Sequence, residues 1–150
     1  CQGAVDAFRE ALTLQPQSGQ AMNNLAYLLV TCGGDLDEAR ELAENAVEQM
    51  PEVSENRDTL AAILIKLAAA SDDSDDRARF VQQARSELMQ ASRLGESATP
   101  LIRLAELELE AGNSDAARSA LLKIESRKLE LDGGQQARVD AVLQKLQSPE

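Results

Sequence analysis

The sequence predicts an all-α protein, a solenoid built from antiparallel helix hairpins. Three observations point there. A set of apolar offsets recurs along the 150 residues. Glycine, proline and helix-capping residues fall between the copies. No segment alternates apolar and polar residues for long enough to make a strand.

Two kinds of apolar set take turns. The first is Ala4, Phe8 and Ala11 with Pro16, repeated 35 residues later as Ala39, Ala43 and Ala46 with Pro51. Ala84, Leu88 and Ala91 follow after a further 45 residues, and Ala117, Leu121 and Ile124 after 33. Each set places an apolar residue at i, i+4 and i+7, one face of an α-helix. The second kind is Met22, Leu25, Ala26 and Leu29, then Arg57, Leu60, Ala61 and Leu64, then Leu101, Leu104, Ala105 and Glu108. The small residue after each Leu lets a neighbouring helix approach closely, and the change from large to small lets a hairpin interlock.

The breaks between these sets define eight helices in order. The first, near 3–14, ends at Gln15-Pro16-Gln17-Ser18-Gly19. The second, near 19–32, stops at Cys32-Gly33-Gly34, and Asp35 caps the third, near 36–49. Met50-Pro51 ends that helix and places Ser54 as cap of the fourth, near 54–70. The run Asp72-Asp73-Ser74-Asp75-Asp76 reads as a solvated turn, with Asp75 or Asp76 capping the fifth helix, near 77–94. It fails as a calcium loop, because Arg77 and Gln83 stand at its sixth and twelfth positions in place of Gly and Glu. Pro100 suits the first turn of the sixth helix, near 99–111. Gly112-Asn113-Ser114-Asp115 repeats the glycine-then-cap order before the seventh, near 115–130. Asp132-Gly133-Gly134 opens the eighth, near 134–147. Loops of about three to six residues make consecutive helices antiparallel neighbours.

Composition removes most chemistry. There is no His, so no Ser-His-Asp or Cys-His pair and no His-ligated metal is available. Glu106, Glu108 and Glu110 are spaced by two and scatter around a helix, so they do not form an acid-base pair. The Gly pairs at 33–34 and 133–134 lack the Lys-Ser/Thr of a phosphate loop and read as helix stops. No catalytic residue, cofactor or metal is expected, and the chain is not expected to be an enzyme. With no Trp, three other aromatic residues and a net charge of −11, nucleic acid is not an expected partner. The most apolar stretch, Leu60 to Ala70, contains Lys66 and is too short to cross a bilayer.

These residues resemble the tetratricopeptide repeat. Ala4-x3-Phe8 with Pro16 is similar to the second half of one unit, and Met22 to Pro51 to a full unit. Arg57 to Ala91 resembles a second unit carrying extra residues, and Leu101 to Ile124 a third without its closing Pro. The resemblance implies a right-handed α-solenoid divided as follows. Residues 1–16 are the second helix of a truncated repeat, 17–131 three repeats with an insertion near 70–80, and 132–150 a capping helix and tail. Two residues depart from the pattern: Arg57 replaces a bulky apolar residue, and Glu108 an aromatic one, the latter implying a last unit that is loosely packed or shifted in register. The stretch Asn23 to Leu29 followed by Asp58 to Ala61 is similar to long bacterial multi-repeat proteins of the cell envelope and of exopolysaccharide export. Neither cytoplasm nor bacterial periplasm is favoured.

The resemblance further implies non-catalytic binding of a protein or peptide in a concave groove lined by the first helix of each unit. Groove candidates are Asn23, Tyr27, Asp58, Lys66, Arg103 and Glu106, with Glu55, Ile102 and Glu110 on the same stripes. Only Arg103 matches the basic and Asn positions with which chaperone-binding members hold a terminal carboxylate, so that ligand is not expected. Residues 1–52 hold 2 basic and 9 acidic residues, which favours a partner segment carrying Lys or Arg. Two other roles stay open: a structural, self-associating repeat segment, or an accessory domain of an enzyme. Self-association is expected through the open N-terminal end, at Phe8 and Leu12. Cys1 sits where helical pattern begins at once, which favours an excised portion of a longer protein over a tethered lipoprotein start. Antiparallel packing brings Cys1 and Cys32 together, but a frayed terminus favours free thiols over a bond.

Overall fold

The Leu-small pairs are where the helices meet. Leu25-Ala26, Leu60-Ala61 and Leu104-Ala105 are all buried, and they lie on α2 (Gly19–Cys32), α4 (Ser54–Ala70) and α6 (Thr99–Glu110). The alanine rows oppose them. Ala39, Ala43 and Ala46 on α3 (Leu36–Gln49), Ala84 and Ala91 on α5 (Ser74–Leu94), and Ala117 on α7 (Ser114–Ser126) are closed off from solvent. With no side chain beyond Cβ, these rows let paired helices pack backbone to backbone, and Leu88, Leu101 and Ile63 fill the remaining space. α1 (Gln2–Leu14) and α8 (Gly133–Gln147) flank the series. The computed structural model describes residues 1–147. Among them are eight helices and no strand, and the tail assigned to 148–150 lies outside the described residues.

The hairpins are α2–α3, α4–α5 and α6–α7, joined through α3–α4 and α5–α6. α2, α4, α6 and α8 also touch in sequence, which makes them one continuous row along the solenoid. Polar side chains lock the joints. Asn56 is buried at the start of α4, and its Nδ2 donates to the Ala46 carbonyl at 3.0 Å, closing the C-terminus of α3. Gly95 is required where α4 meets the end of α5, since a Cβ there would come within 2.8 Å of the Ser54 Oγ.

The ends of the helices follow the capping residues, with four corrections. Asp35 accepts from the backbone N–H groups of Asp37 and Glu38, as expected, and Gly33 takes a left-handed φ of 73° after α2. Ser54 does not cap α4; it is the first helical residue, and its hydroxyl donates across to the Ala91 carbonyl at 3.1 Å. Asp73, rather than Asp75 or Asp76, caps α5, so this helix starts three residues earlier than expected. The α7 helix stops at Ser126 instead of about 130, because Lys128 turns to a φ of 53°. Asp132-Gly133-Gly134 opens α8 as expected, so this glycine pair is not a helix stop, and Asp132 and Gln135 exchange backbone and side-chain hydrogen bonds in a reciprocal cap.

Two departures from the repeat pattern are explained by ion pairs. Glu108 is buried, yet the last unit is not loose. The Nε and Nη2 of Arg85 on α5 donate to the two Glu108 carboxylate oxygens, and the Asn113 Nδ2 adds a third bond at 2.8 Å. The Arg85 guanidinium, assisted by Asn113, holds this carboxyl below the usual glutamate range. Arg57 on α4 likewise donates to Glu87 on α5 at 2.7 Å. Each pair lets a long charged side chain span a gap that an apolar residue fills in the repeat pattern.

The thiols are corrected as well. Cys1 and Cys32 form a disulfide with Cα atoms 5.7 Å apart. Cys1 is not frayed: it is the N-cap of α1, and its carbonyl accepts from Ala4 and Val5. The bond joins the start of α1 to the end of α2, where antiparallel packing places both.

Candidate functional site

The exposed stripe of the α2–α4–α6 row forms a cavity of about 300 Å³. Asn23, Asn24 and Tyr27 come from α2, Ser54, Glu55, Asp58, Thr59 and Ala62 from α4, and Thr99, Pro100 and Arg103 from α6. The helical repeat delivers these residues: when Leu25, Leu60 and Leu104 face inward, Asn23, Asp58 and Arg103, one or two residues away and turned by about 100–200° around the helix, face out. Four of the expected groove residues, Asn23, Tyr27, Asp58 and Arg103, therefore share one cavity.

A second cavity of about 360 Å³ follows along the row, between α6 and α8. It contains Glu106, Leu109, Glu110, Arg138 and Lys145. Lys66 lines neither cavity; its ammonium donates to the Val30 carbonyl at the end of α2, at 3.3 Å. Ile102 leaves the groove and belongs to the core, fully buried. Phe8 and Leu12, half-buried on α1, pack against that core.

Charge along this face is organised by arginine forks. Arg103 donates to both Asp58 oxygens, at 3.1 and 3.3 Å. Arg138 donates to both Glu106 oxygens, at 2.8 and 2.6 Å, and that carboxylate holds the guanidinium above its ordinary range. Asp58 and Glu106 are therefore internally compensated. Arg138 escapes sequence reasoning because it lies on the terminal helix, where no repeat copy sets its register. Glu55 differs: it is exposed and joins no ion pair among the described residues. Tyr27 is 57% exposed. The Oδ1 of Asn23 is buried and has no hydrogen-bond partner among the described residues.

Among the described residues, no group of His, Cys, Asp or Glu is arranged to hold a metal ion, and no helix is long and apolar enough to cross a membrane. No family model and no curated protein sequence matches the chain. Solved structures do. The chain is similar to TTC0263, a thermophilic TPR protein of Thermus thermophilus, with a TM-score of 0.83 at 20% identity, over 95% of this chain and 73% of that one.

The chain has the tetratricopeptide-repeat fold. In this tetratricopeptide-type solenoid α2, α4 and α6 are the stacked first helices of successive hairpins and α8 continues their row, with both cavities along it.

Proposed function

We propose that the protein is a non-catalytic scaffold that holds an extended or helical segment of a partner protein against the α2–α4–α6 face. One observation carries this reading: Asn23, Asn24, Tyr27 and Thr59 converge on a single cavity together with an ion pair and an unpaired carboxylate. Asn and Tyr are adaptable hydrogen bonders, and Tyr supplies large contact area at low entropy cost. The negative balance of residues 1–52 favours a partner segment with basic residues and speeds encounter with it.

Isothermal titration with peptides selected from a random dodecapeptide library tests the reading. Tyr27→Ala should weaken binding by about tenfold, as loss of a central aromatic anchor does. The association rate should fall as salt rises, because exposed charges are screened over about 8 Å at physiological ionic strength. Selected peptides indifferent to Tyr27→Ala would place binding elsewhere.

A further inference from the structure

This inference deepens the groove reading above and depends on it. We propose that the cavity between α2, α4 and α6 is a cation subsite that receives one arginine side chain of the bound segment.

Charge balance separates this cavity from its neighbour. In the α6–α8 cavity Glu106 is satisfied by Arg138, and Glu110 on α6 is balanced in charge by Lys145 on α8. In the α2–α4–α6 cavity Arg103 is engaged by Asp58 through two bonds, so its charge is spent within the chain. Glu55 is left over, and the cavity carries one uncompensated negative charge. A ligand carboxylate there meets that charge with no unengaged guanidinium to hold it. A ligand cation meets an acceptor.

Hydrogen-bonding capacity points the same way. The Asn23 Oδ1 is buried without a donor, and a buried acceptor left unpaired is costly; Asn23 lines this cavity, so a turn of its amide brings that acceptor to an incoming N–H. Tyr27 offers an exposed ring at the same cavity, and aromatic faces attract planar guanidinium groups. Arginine suits these features better than lysine. Its rigid fork reaches two acceptors at once while its plane stacks on a ring, whereas an ammonium is a strongly hydrated point charge. The cavity, about 300 Å³, lies at the lower end of ligand-site volumes, a scale suited to one inserted side chain.

The test uses the library-selected peptides and replaces each arginine in turn by citrulline, its uncharged isostere. Affinities are measured on the wild type, Glu55→Gln and Asn23→Ala, with circular dichroism confirming that each variant is folded. One arginine per peptide should be critical: its citrulline form should bind the wild type about tenfold more weakly. That penalty should shrink to about threefold or less in Glu55→Gln. Peptides that lose binding with Tyr27→Ala yet tolerate every citrulline overturn the cation subsite and leave the groove reading standing. Peptides selected for Asp or Glu at the critical position do the same. Binding unaffected by Tyr27→Ala, Glu55→Gln and Asn23→Ala, or no peptide selected at all, overturns both.

Discussion

Arg103 and Asp58 clasp one another across the α2–α4–α6 cavity, Nε to Oδ1 at 3.1 Å and Nη2 to Oδ2 at 3.3 Å, so that α6 is tied to α4. Both side chains are largely but not fully shielded, at 26% and 19% exposure, which places the pair between surface and buried ion pairs. A double-mutant cycle on Asp58→Asn and Arg103→Met by urea unfolding should give a coupling of about 1 kcal/mol. Zero coupling would show that the fork orders the groove without stabilising it.

Glu108 makes stability depend on pH in a stated direction. Its folded-state pKa is depressed, chiefly by Arg85. The stabilisation is therefore fully present above the ordinary glutamate range and is lost as pH falls through the lowered value. Replacing Glu108 by Gln should cost about 1.5–3 kcal/mol at neutral pH, the scale of hydrogen bonds to a charged group. The gap between variant and wild type should narrow as pH falls below the ordinary glutamate range and close once it passes the lowered value. Urea midpoints between pH 3 and 7 check this, and a gap independent of pH would contradict it.

The Cys1–Cys32 bridge closes a loop with a sequence separation of 31 and anchors α1, of whose residues only Val5 is buried among the described ones. On the chain-entropy account such a loop contributes about 3–4 kcal/mol. Reduction should lower amide-exchange protection across α1 while α4 to α6 keep theirs. Thiol titration in denaturant without reductant should find no free thiol in oxidised protein. Two reactive thiols there would refute the bridge.

What was legible in the sequence was periodicity. The Leu25-Ala26, Leu60-Ala61 and Leu104-Ala105 pairs and the alanine rows set the helices and their inward faces, and from them came Asn23, Tyr27, Asp58 and Arg103 in one groove. Less legible was anything decided by partners distant in sequence. Ser54 looks like a cap until its hydroxyl donates a hydrogen bond to the Ala91 carbonyl, and Glu108 looks like a defect until Arg85 arrives from another helix. Asp58 and Glu106 look like unpaired acids until Arg103 and Arg138 reach them from 45 and 32 residues away. The misplacement of Ile102 has a local cause: a step of one residue turns a helical side chain by about 100°, from groove to core.

The central claim is that the α2–α4–α6 face holds a partner segment. Site-specific photo-crosslinking tests it most directly, with benzoylphenylalanine at position 27 on α2 or, as a control, at position 122 on α7, where Leu122 is 61% exposed. Both positions are exposed, so placing the probe there leaves the core intact. With a library-selected peptide bearing a terminal fluorophore, the probe at 27 should give a labelled adduct and the probe at 122 none. An adduct at 122 without one at 27 would contradict the account.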